Sequence, residues 1–151
     1  MTYINKLNLK FSAINENEGF ARLAVASFCA AKVKDLDVLS DIKTVVSEAV
    51  TNAIVHGYEN KEGEVIINCE INDEEIVLEI IDDGVGITNI EQAKMPFYTS
   101  KPELERSGMG FTVMEGFMDK MEIFSEVGKG TRVVLIKNIQ IWRIRGIVNK
   151  Y

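Results

Sequence analysis

Three polar side chains follow one another at helical spacing in a segment whose apolar residues recur every three or four positions. Glu48, Asn52 and His56 stand four residues apart within the stretch Asp41–Gly57, so on a helix they form one line along its surface. A carboxylate and an amide one turn apart on a rigid helix can serve one site, as a proton acceptor beside a metal ligand. An ordinary amphipathic helix with its polar side in water explains the same pattern. The segment alone favours this simpler interpretation.

A second polar group comes directly after an apolar segment that is typical of a strand. Asp82 ends the segment Ile76–Asp82, and Gly84 and Gly86 follow it. An acid at a strand end is positioned to accept a hydrogen bond from a ligand amine. The glycines let the backbone turn sharply and let a flat ring come close. A loop that needs glycine for its turn is the alternative, and the motif alone does not decide between them.

A third group, Ser107, Gly108 and Gly110, stands where a helical pattern begins. Free backbone N–H groups and the positive end of the helix dipole favour an anion there, most naturally phosphate. Lys101 and Arg106 add positive charge that could close on phosphates. A helix capped by Ser107 without any ligand explains the same residues.

A fourth candidate, Thr131, follows the glycine-containing turn Gly128–Gly130. The turn is first of all a hairpin connection. The Thr131 hydroxyl could in addition reach a ligand held by Asp82, although the structural explanation is the simpler one for this segment.

Hydrophobic periodicity predicts the elements that would position these groups. It predicts helices at Glu16–Lys32, Asp41–Gly57 and Gly108–Lys120, and strands at Tyr3–Phe11, Val65–Ile71, Ile76–Asp82, Met121–Glu126 and Arg132–Ile136. This order indicates an α+β fold, a two-layer α/β sandwich with one mixed, mostly antiparallel sheet and helices on one face. Residues 1–138 are predicted to form a single domain, and residues 139–151 are a tail of unassigned role.

Local signals refine the first two helices. Asn15 and Glu18 have the spacing of a capping box, and Gly57 is placed as a C-cap. The first helix is predicted to bury one set of side chains, namely Phe20, Leu23, Ala24, Ser27, Phe28 and Ala31.

The segment Gly86–Ser107 has no clear periodicity and contains both prolines, Pro96 and Pro102. A loop of this length in a compact domain is usually a lid or disordered. We expect a lid, interrupted by a short helix around Asn89–Lys94.

Composition excludes several classes of protein. A net charge of -6 and a pI near 4.9 argue against direct nucleic-acid binding, which needs a basic face. Cys29 and Cys69 lie in apolar or alternating segments, without metal or disulfide spacing, and are predicted to be small buried hydrophobes. No leader and no apolar run long enough to span a bilayer is recognisable. We expect a soluble protein of the reducing cytoplasm, without membrane contact.

The motifs are more specific together than apart. Glu-x-x-x-Asn on a helix, Asp-x-Gly-x-Gly after a strand, a lid, Gly-x-Gly at a helix start and Gly-Thr resemble the Bergerat (GHKL) ATP-binding fold of gyrase, Hsp90, histidine kinases and MutL proteins. The resemblance implies ATP and Mg²⁺ as ligands. It assigns magnesium binding to Asn52 and contact with the adenine amino group to Asp82. The further assignments are Gly84 and Gly86 behind the adenine, Gly108 and Gly110 at the phosphates, and Thr131 on the adenine side.

Longer segments resemble the sporulation anti-sigma-F factors, small serine kinases of the same fold. They are NENEGFAR at Asn15–Arg22, IKTVVSEAVTNAIVHGY at Ile42–Tyr58 and TSKPELERSGMGFTVMEGFMD at Thr99–Asp119. The likeness covers roughly Leu7–Leu135, whereas the basic and aromatic segment Ile139–Tyr151 is unlike the family's tail.

This resemblance implies two coupled activities. The nucleotide-bound protein would hold a sporulation sigma factor inactive, and it would phosphorylate a serine of an anti-anti-sigma protein. Glu48 would then orient or deprotonate the substrate hydroxyl, and Glu18 and Arg22 would contact the partners. A homodimer is also implied.

Three alternatives remain open at this level. One is a kinase that regulates a stress sigma factor, because the ATP motifs are shared and only the partner surface differs. Another is a module that uses ATP only to set its shape, and the third is an ATPase without a protein acceptor. Autophosphorylation of His56 is disfavoured, since no helical hairpin that could carry an acceptor precedes the first strand. We expect His56 to interact with the last carbonyls of its helix.

Overall fold

The strands and helices follow one another along the chain in the predicted order. The structure, a computed structural model, describes residues 4–98 and 109–139. Its strands are β1 (Asn5–Ser12), β2 (Glu64–Ile71), β3 (Glu75–Asp82), β4 (Lys120–Glu126) and β5 (Gly130–Asn138). Its helices are α1 (Glu16–Ala30), α2 (Leu36–Asn52), α3 (Ile90–Ala93) and α4 (Gly110–Phe117), and a π-helical turn (Ala53–Gly57) continues α2.

The five strands form one sheet in the order β1-β2-β3-β5-β4. Each neighbouring pair is antiparallel, so no parallel ladder is present in the described sheet. In the β3–β5 ladder Asp82 stands opposite Thr131 and Ile80 opposite Val133. This register brings two of the predicted site residues side by side, although they are far apart in sequence.

The core lies between one face of the sheet and the helices, as the alternation of the strands predicts. Val65, Ile67 and Cys69 of β2 and Leu78 of β3 are fully buried there. The opposite face is half-buried and mixes apolar side chains, such as Ile66, Val77 and Ile136, with polar ones. Among the polar ones, Arg132 Nη1 lies 2.6 Å from a carboxylate oxygen of Glu79 on β3. The predicted α+β sandwich with helices on one face is therefore confirmed.

Helix α1 presents a different face to the core from the one that its sequence pattern indicates. Phe20 and Leu23 are 56% and 58% exposed, and Ser27 and Ala31 are exposed as well. The fully buried residues of α1 are small or β-branched: Ala21, Val25 and Cys29. Apolar residues lie around most of this helix, so periodicity alone does not select the buried side. Small side chains let α1 approach its neighbours closely.

The predicted capping box at the start of α1 is wrong. Asn15 has helical dihedral angles and its side chain makes no capping hydrogen bond. The Glu18 carboxylate instead accepts a hydrogen bond of 3.0 Å from Arg22 Nη1. Asn17 satisfies the carbonyl of Ser12 through its side-chain amide, over 3.0 Å. The turn into the helix is therefore held by a bond back to β1.

Helix α2 starts before the predicted stretch and ends in an unexpected way. The Asp35 side chain caps it by accepting the backbone N–H of Asp37 over 2.9 Å. At its end the helix widens into the π-helical turn, in which the Tyr58 N–H donates to the Ala53 carbonyl over 2.9 Å. Gly57 lies inside this turn and is not among the glycines with positive φ. The prediction that Gly57 is the C-cap is therefore wrong, since Tyr58 takes that position.

The remaining elements follow the predictions closely. The short helix α3 is capped by Asn89, which accepts the N–H of Gln92 over 3.0 Å, and the closing hairpin β4–β5 is present. Helix α4 ends at Phe117, a few residues before the predicted end, because Met118 is already extended. Cys29 and Cys69 are buried free thiols whose sulfur atoms lie 3.9 Å apart. Within the described residues no helix is long and apolar enough to cross a membrane.

Candidate functional site

A cavity of about 390 Å³ opens between the end of α2, the loop after β3, the start of α4 and β5. Five of the predicted site residues line it: Asn52, Asp82, Gly86, Gly110 and Thr131. Its wall is otherwise largely apolar and includes Ala53, Val85, Phe111, Ile80 and Val133. A mostly apolar cleft with a few convergent polar groups is typical of a small-molecule site that accepts a flat ring.

Asn52 meets the start of α4 inside this cavity. A Cβ atom placed on Gly110 would lie 3.0 Å from Asn52 Oδ1 and 3.1 Å from its Nδ2. Only glycine therefore leaves the amide undisturbed at this position. The arrangement sets an amide oxygen, a ligand type that Mg²⁺ accepts, beside a helix N-terminus, where the helix dipole favours an anion.

Asp82 is the only charged side chain in the buried core of the described residues, at 8% exposure. Burial raises the pKa of its carboxyl to about 6, and the neighbouring Asp83 carboxylate adds to the rise. Backbone N–H groups of Gly84, at 2.9 Å, and of Thr131 donate to the carboxylate and oppose this rise in pKa. The result is a largely buried acceptor group, which is held in place by the backbone.

Gly57 and Gly84 let two backbone segments touch beneath Asp82. A Cβ atom on Gly84 would overlap the carbonyl oxygen of Gly57, and one on Gly57 would lie 2.8 Å from Asp82 Cγ. The Gly57 carbonyl in turn accepts the N–H of Val85 over 2.9 Å. The π-helical turn thereby fixes the loop that carries Asp82.

Two further contacts hold the same loop. The Tyr58 hydroxyl accepts the N–H of Asp83 over 2.8 Å and donates to the carbonyl of Glu64, and burial raises the pKa of this phenol. On the other side the Gly128 N–H donates to the Val85 carbonyl over 2.8 Å. Gly86 has φ +77°, and a Cβ there would overlap the chain at Glu126. The loop is thus clamped between the end of α2 and the β4–β5 turn.

Other predicted residues lie away from the cavity or outside the described residues. Glu48 is half-buried one turn before Asn52, and neither Glu48 nor Gly84 is among the described residues that line the cavity. Glu18 and Arg22 form their ion pair on α1, apart from it. The remaining predicted residues, Lys101, Arg106, Ser107 and Gly108, lie outside the described residues, as does the last part of the predicted lid, residues 99–107.

Sequence reasoning missed several residues that the fold brings to the site. His56, predicted only to end its helix, lines the cavity beside Asn52. The sequence does show a glycine at position 57, but its place at the helix end predicts a cap and not a close contact with Asp82. No sequence pattern indicates Tyr58 or Ser125, because both act through tertiary contacts. Tyr58 holds the loop after β3, and Ser125 lies within hydrogen-bond distance of Ile87 and Thr131. In the ranges 4–98 and 109–139 no cluster of three or more His, Cys, Asp or Glu could hold a metal ion.

The contact between Gly84 and Gly57 leads to a stability prediction. Gly84→Ala forces the loop and the π-helical turn apart, and overpacking of this kind costs about 1–3 kcal/mol. Urea unfolding at neutral pH measures the change. Gly116→Ala is the matched control: a Cβ there meets nothing within 4 Å, and in a helix the change stabilises by up to about 1 kcal/mol. Equal unfolding midpoints for Gly84→Ala and the parent would contradict the close approach.

The sheet order and the cavity indicate a class of protein. Comparisons with known proteins identify which class it is. Residues 11–137 match the family model described as the histidine kinase-like ATPase domain. Among solved structures, the histidine kinase domain of the blue-light activated histidine kinase from Erythrobacter litoralis EL346 aligns with a TM-score of 0.55 at 17% identity. The alignment covers 82% of this chain and 61% of that one. At this identity the likeness concerns the fold alone, and it supports the GHKL-type α+β architecture.

Curated relatives identify a more specific family within this class of ATPase domains. The anti-sigma F factor of Clostridium beijerinckii is 56% identical over 138 residues, which is 91% of this chain and 96% of the relative. That of Clostridium acetobutylicum is 56% identical over 91% of this chain and 96% of its own. That of Anoxybacillus flavithermus is 56% identical over 89% and 93%. The chain belongs to the anti-sigma F factor family of histidine kinase-like ATPase domains.

Proposed function

We propose that the protein is an anti-sigma factor and an ATP-dependent protein serine kinase. Its ATP-bound form sequesters a sporulation sigma factor, and it transfers the γ-phosphate to a serine of an anti-anti-sigma protein. That phosphorylation prevents the anti-anti-sigma protein from relieving the inhibition. The observation that carries this proposal is the convergence of Asn52, Asp82, Gly110 and Thr131 on one cavity, in a chain whose family is named for anti-sigma activity.

The residues present fit Mg²⁺-ATP. Asp82 is a buried acceptor at an apolar wall, which suits the amino group of adenine. Asn52 supplies one amide oxygen, and Mg²⁺ commonly needs only one or two protein ligands when phosphates and water supply the rest. Gly110 and the start of α4 leave room and N–H groups for phosphate oxygens. We further assign Lys101, Arg106, Ser107 and Gly108 to the phosphates.

Glu48 is assigned to the phosphate-transfer step. In that step the substrate serine oxygen forms a bond to the γ-phosphorus, the bond to the leaving ADP oxygen breaks, and the serine proton passes to the Glu48 carboxylate. Mg²⁺, when bound, neutralises the charge of the phosphates. Asn52 and Glu48 share α2, one turn apart, so a rigid helix sets the spacing between metal ligand and base.

Helix α1 offers the surface that suits a protein partner. Arg22 and Glu18 are paired at 3.0 Å, and Phe20 and Leu23 lie exposed beside them. Exposed apolar side chains next to an arginine are typical of binding hot spots, where Arg and aromatic residues are enriched. We therefore assign contact with the sigma factor and the anti-anti-sigma protein to this face.

The partner assignment leads to a prediction for Arg22→Ala. Loss of a hot-spot arginine is expected to weaken capture of both partners by roughly 10-fold or more. A pull-down titration in the presence of Mg²⁺-ATP measures it. Arg132→Ala is the matched control, because Arg132 has the same side-chain exposure, 43%, and a carboxylate partner but lies on the sheet. Undiminished capture by Arg22→Ala would reject the assignment.

The family relation also supports a homodimer that acts in the cytoplasm, where sigma factors work, without direct contact with nucleic acid. The relatives are named anti-sigma F factors, and the resemblance to the sporulation anti-sigma-F factors supports a sporulation sigma factor over a stress sigma factor. One observation favours a second candidate, a module that uses ATP only to set its shape: Glu48 does not line the cavity among the described residues.

Calorimetry with Mg²⁺-ATP, followed by sigma-factor capture with and without the nucleotide, tests the anti-sigma proposal. Capture that is independent of nucleotide would contradict it.

A further inference from the structure

We propose that Ser125 sets the direction of the Thr131 hydroxyl and thereby makes the cavity select a purine with a 6-amino group over one with a 6-oxo group. The inference rests on the proposed binding of ATP and adds a positioning residue to it. Ser125 lies on the edge strand β4 and is not among the described residues that line the cavity. It therefore acts through its neighbours.

The Ser125 hydroxyl oxygen contacts three polar groups. The N–H of Ile87 donates to it over 2.8 Å, the carbonyl of Gly130 lies 2.9 Å away, and the hydroxyl oxygen of Thr131 lies 2.9 Å away. Ile87 belongs to the loop after β3, and Gly130 follows the β4–β5 turn that holds this loop. One side chain thus joins both segments to Thr131.

The number of hydrogens decides the direction of each bond. A serine hydroxyl has one hydrogen and two acceptor positions. A carbonyl oxygen cannot donate, so the Ser125 hydrogen points to Gly130, and the N–H of Ile87 occupies one acceptor position. The other position accepts the hydroxyl hydrogen of Thr131. Thr131 therefore turns its hydrogen away from the cavity and keeps only acceptor capacity for a ligand.

Asp82 gives the cavity wall the same polarity. Its ionised carboxylate has no hydrogen to donate, and it stands opposite Thr131 in the β3–β5 ladder. Asp82 and Thr131, the two side chains assigned to the adenine, thus both offer only acceptors to a ligand. A 6-amino group has two N–H donors and can satisfy them, whereas a 6-oxo group brings lone pairs against lone pairs. Leaving buried polar groups unpaired is costly, which is the source of the selectivity.

Ser125→Ala frees the Thr131 hydroxyl to turn and donate. The parent is expected to bind ATP more tightly than inosine triphosphate, which carries the 6-oxo group. In the variant this preference is expected to fall by about 10-fold, since the freed Thr131 hydroxyl can donate to the 6-oxo group, while its oxygen still accepts from a 6-amino group. Calorimetric Kd values for the two nucleotides with Mg²⁺ give the ratio directly.

Thr131→Val supplies an independent readout, because it removes the hydroxyl that Ser125 directs. It should reduce the preference by itself, and adding Ser125→Ala in that background should change the ratio no further. A merely structural role of Ser125 would instead weaken both nucleotides equally and leave the ratio unchanged. That result, a parent without preference, or full preference retained in Thr131→Val would overturn the inference. Failure of the parent to bind ATP at all would overturn the proposed function instead.

Discussion

Glu48→Gln is expected to slow γ-phosphate transfer by about 10²–10⁴-fold, the range that a general base typically contributes. ATP affinity should stay close to that of the parent, because Glu48 does not line the cavity among the described residues. The amide keeps the size of the side chain and removes its ability to accept a proton at neutral pH. Single-turnover transfer to the anti-anti-sigma protein, with calorimetry for ATP, separates the two effects.

The control for Glu48→Gln is a second glutamate on a neighbouring helix. Glu115 of α4 is exposed, so Glu115→Gln removes one negative charge without touching the proposed base and should transfer at the parental rate. A normal rate in Glu48→Gln would show that the assigned role is wrong. Unchanged transfer with intact ATP binding would leave positioning and charge neutralisation as the remaining sources of catalysis.

Asp82→Asn is expected to weaken ATP binding itself, by about 10–100-fold, since hydrogen bonds to a charged group contribute roughly 1.5–3 kcal/mol. The physical reason is the buried carboxylate, which the Gly84 N–H holds in place at 2.9 Å and which aims acceptor positions at the cavity. Calorimetry with Mg²⁺-ATP measures the loss. Asn8→Asp, a charge change on β1 far from the cavity, serves as a control. Unchanged affinity in Asp82→Asn would reject the adenine assignment.

The same carboxyl makes ATP binding depend on pH. Because the pKa of Asp82 is raised to about 6, the acceptor is lost as pH falls through that value, and ATP binding should weaken below it. Asp82→Asn should lack this dependence, and it also provides the baseline for any titration of the phosphates of ATP. Equal pH profiles for the parent and Asp82→Asn would contradict the role of Asp82.

Stability without nucleotide should respond to Asp82 in the opposite sense. The folded-state pKa of about 6 lies above the ordinary value of 3.8, so the protonated carboxyl favours folding. This contribution is fully present below the unfolded pKa and is lost as pH rises through about 6. The ionised carboxylate thus destabilises the free protein at the pH at which it best binds ATP.

Strong periodic patterns made most of the fold predictable. The alternation of β2 and β3 and the apolar stripe of α2 each have one clear inner face, and the structure buries those faces. Helix α1 shows the limit of such patterns. Its large apolar residues Phe20 and Leu23 suggest a core face, but small residues such as Ala21 and Cys29 fill the close contact instead. We therefore assign Phe20 and Leu23 to the proposed partner-binding surface.

The candidate site divides in a similar way. Asn52, Asp82 and Thr131 were predictable because their residue types carry chemistry and their positions follow from the motifs. The parts that support them were not, since Gly57 acts by leaving space beneath Asp82 and Ser125 acts through a neighbour on the next strand. Contacts of this kind depend on the register of β3, β5 and β4, which no local pattern specifies.

The most direct test of the proposed serine kinase activity mixes the protein with Mg²⁺, ATP labelled at the γ-phosphate and the anti-anti-sigma protein. We expect label to appear on a serine of the anti-anti-sigma protein, identified by mass spectrometry, and we expect Glu48→Gln and Asp82→Asn each to suppress it. Label that stays on ATP, is released as free phosphate without any on the acceptor, or appears on His56 of the protein itself would contradict the assignment as a serine kinase.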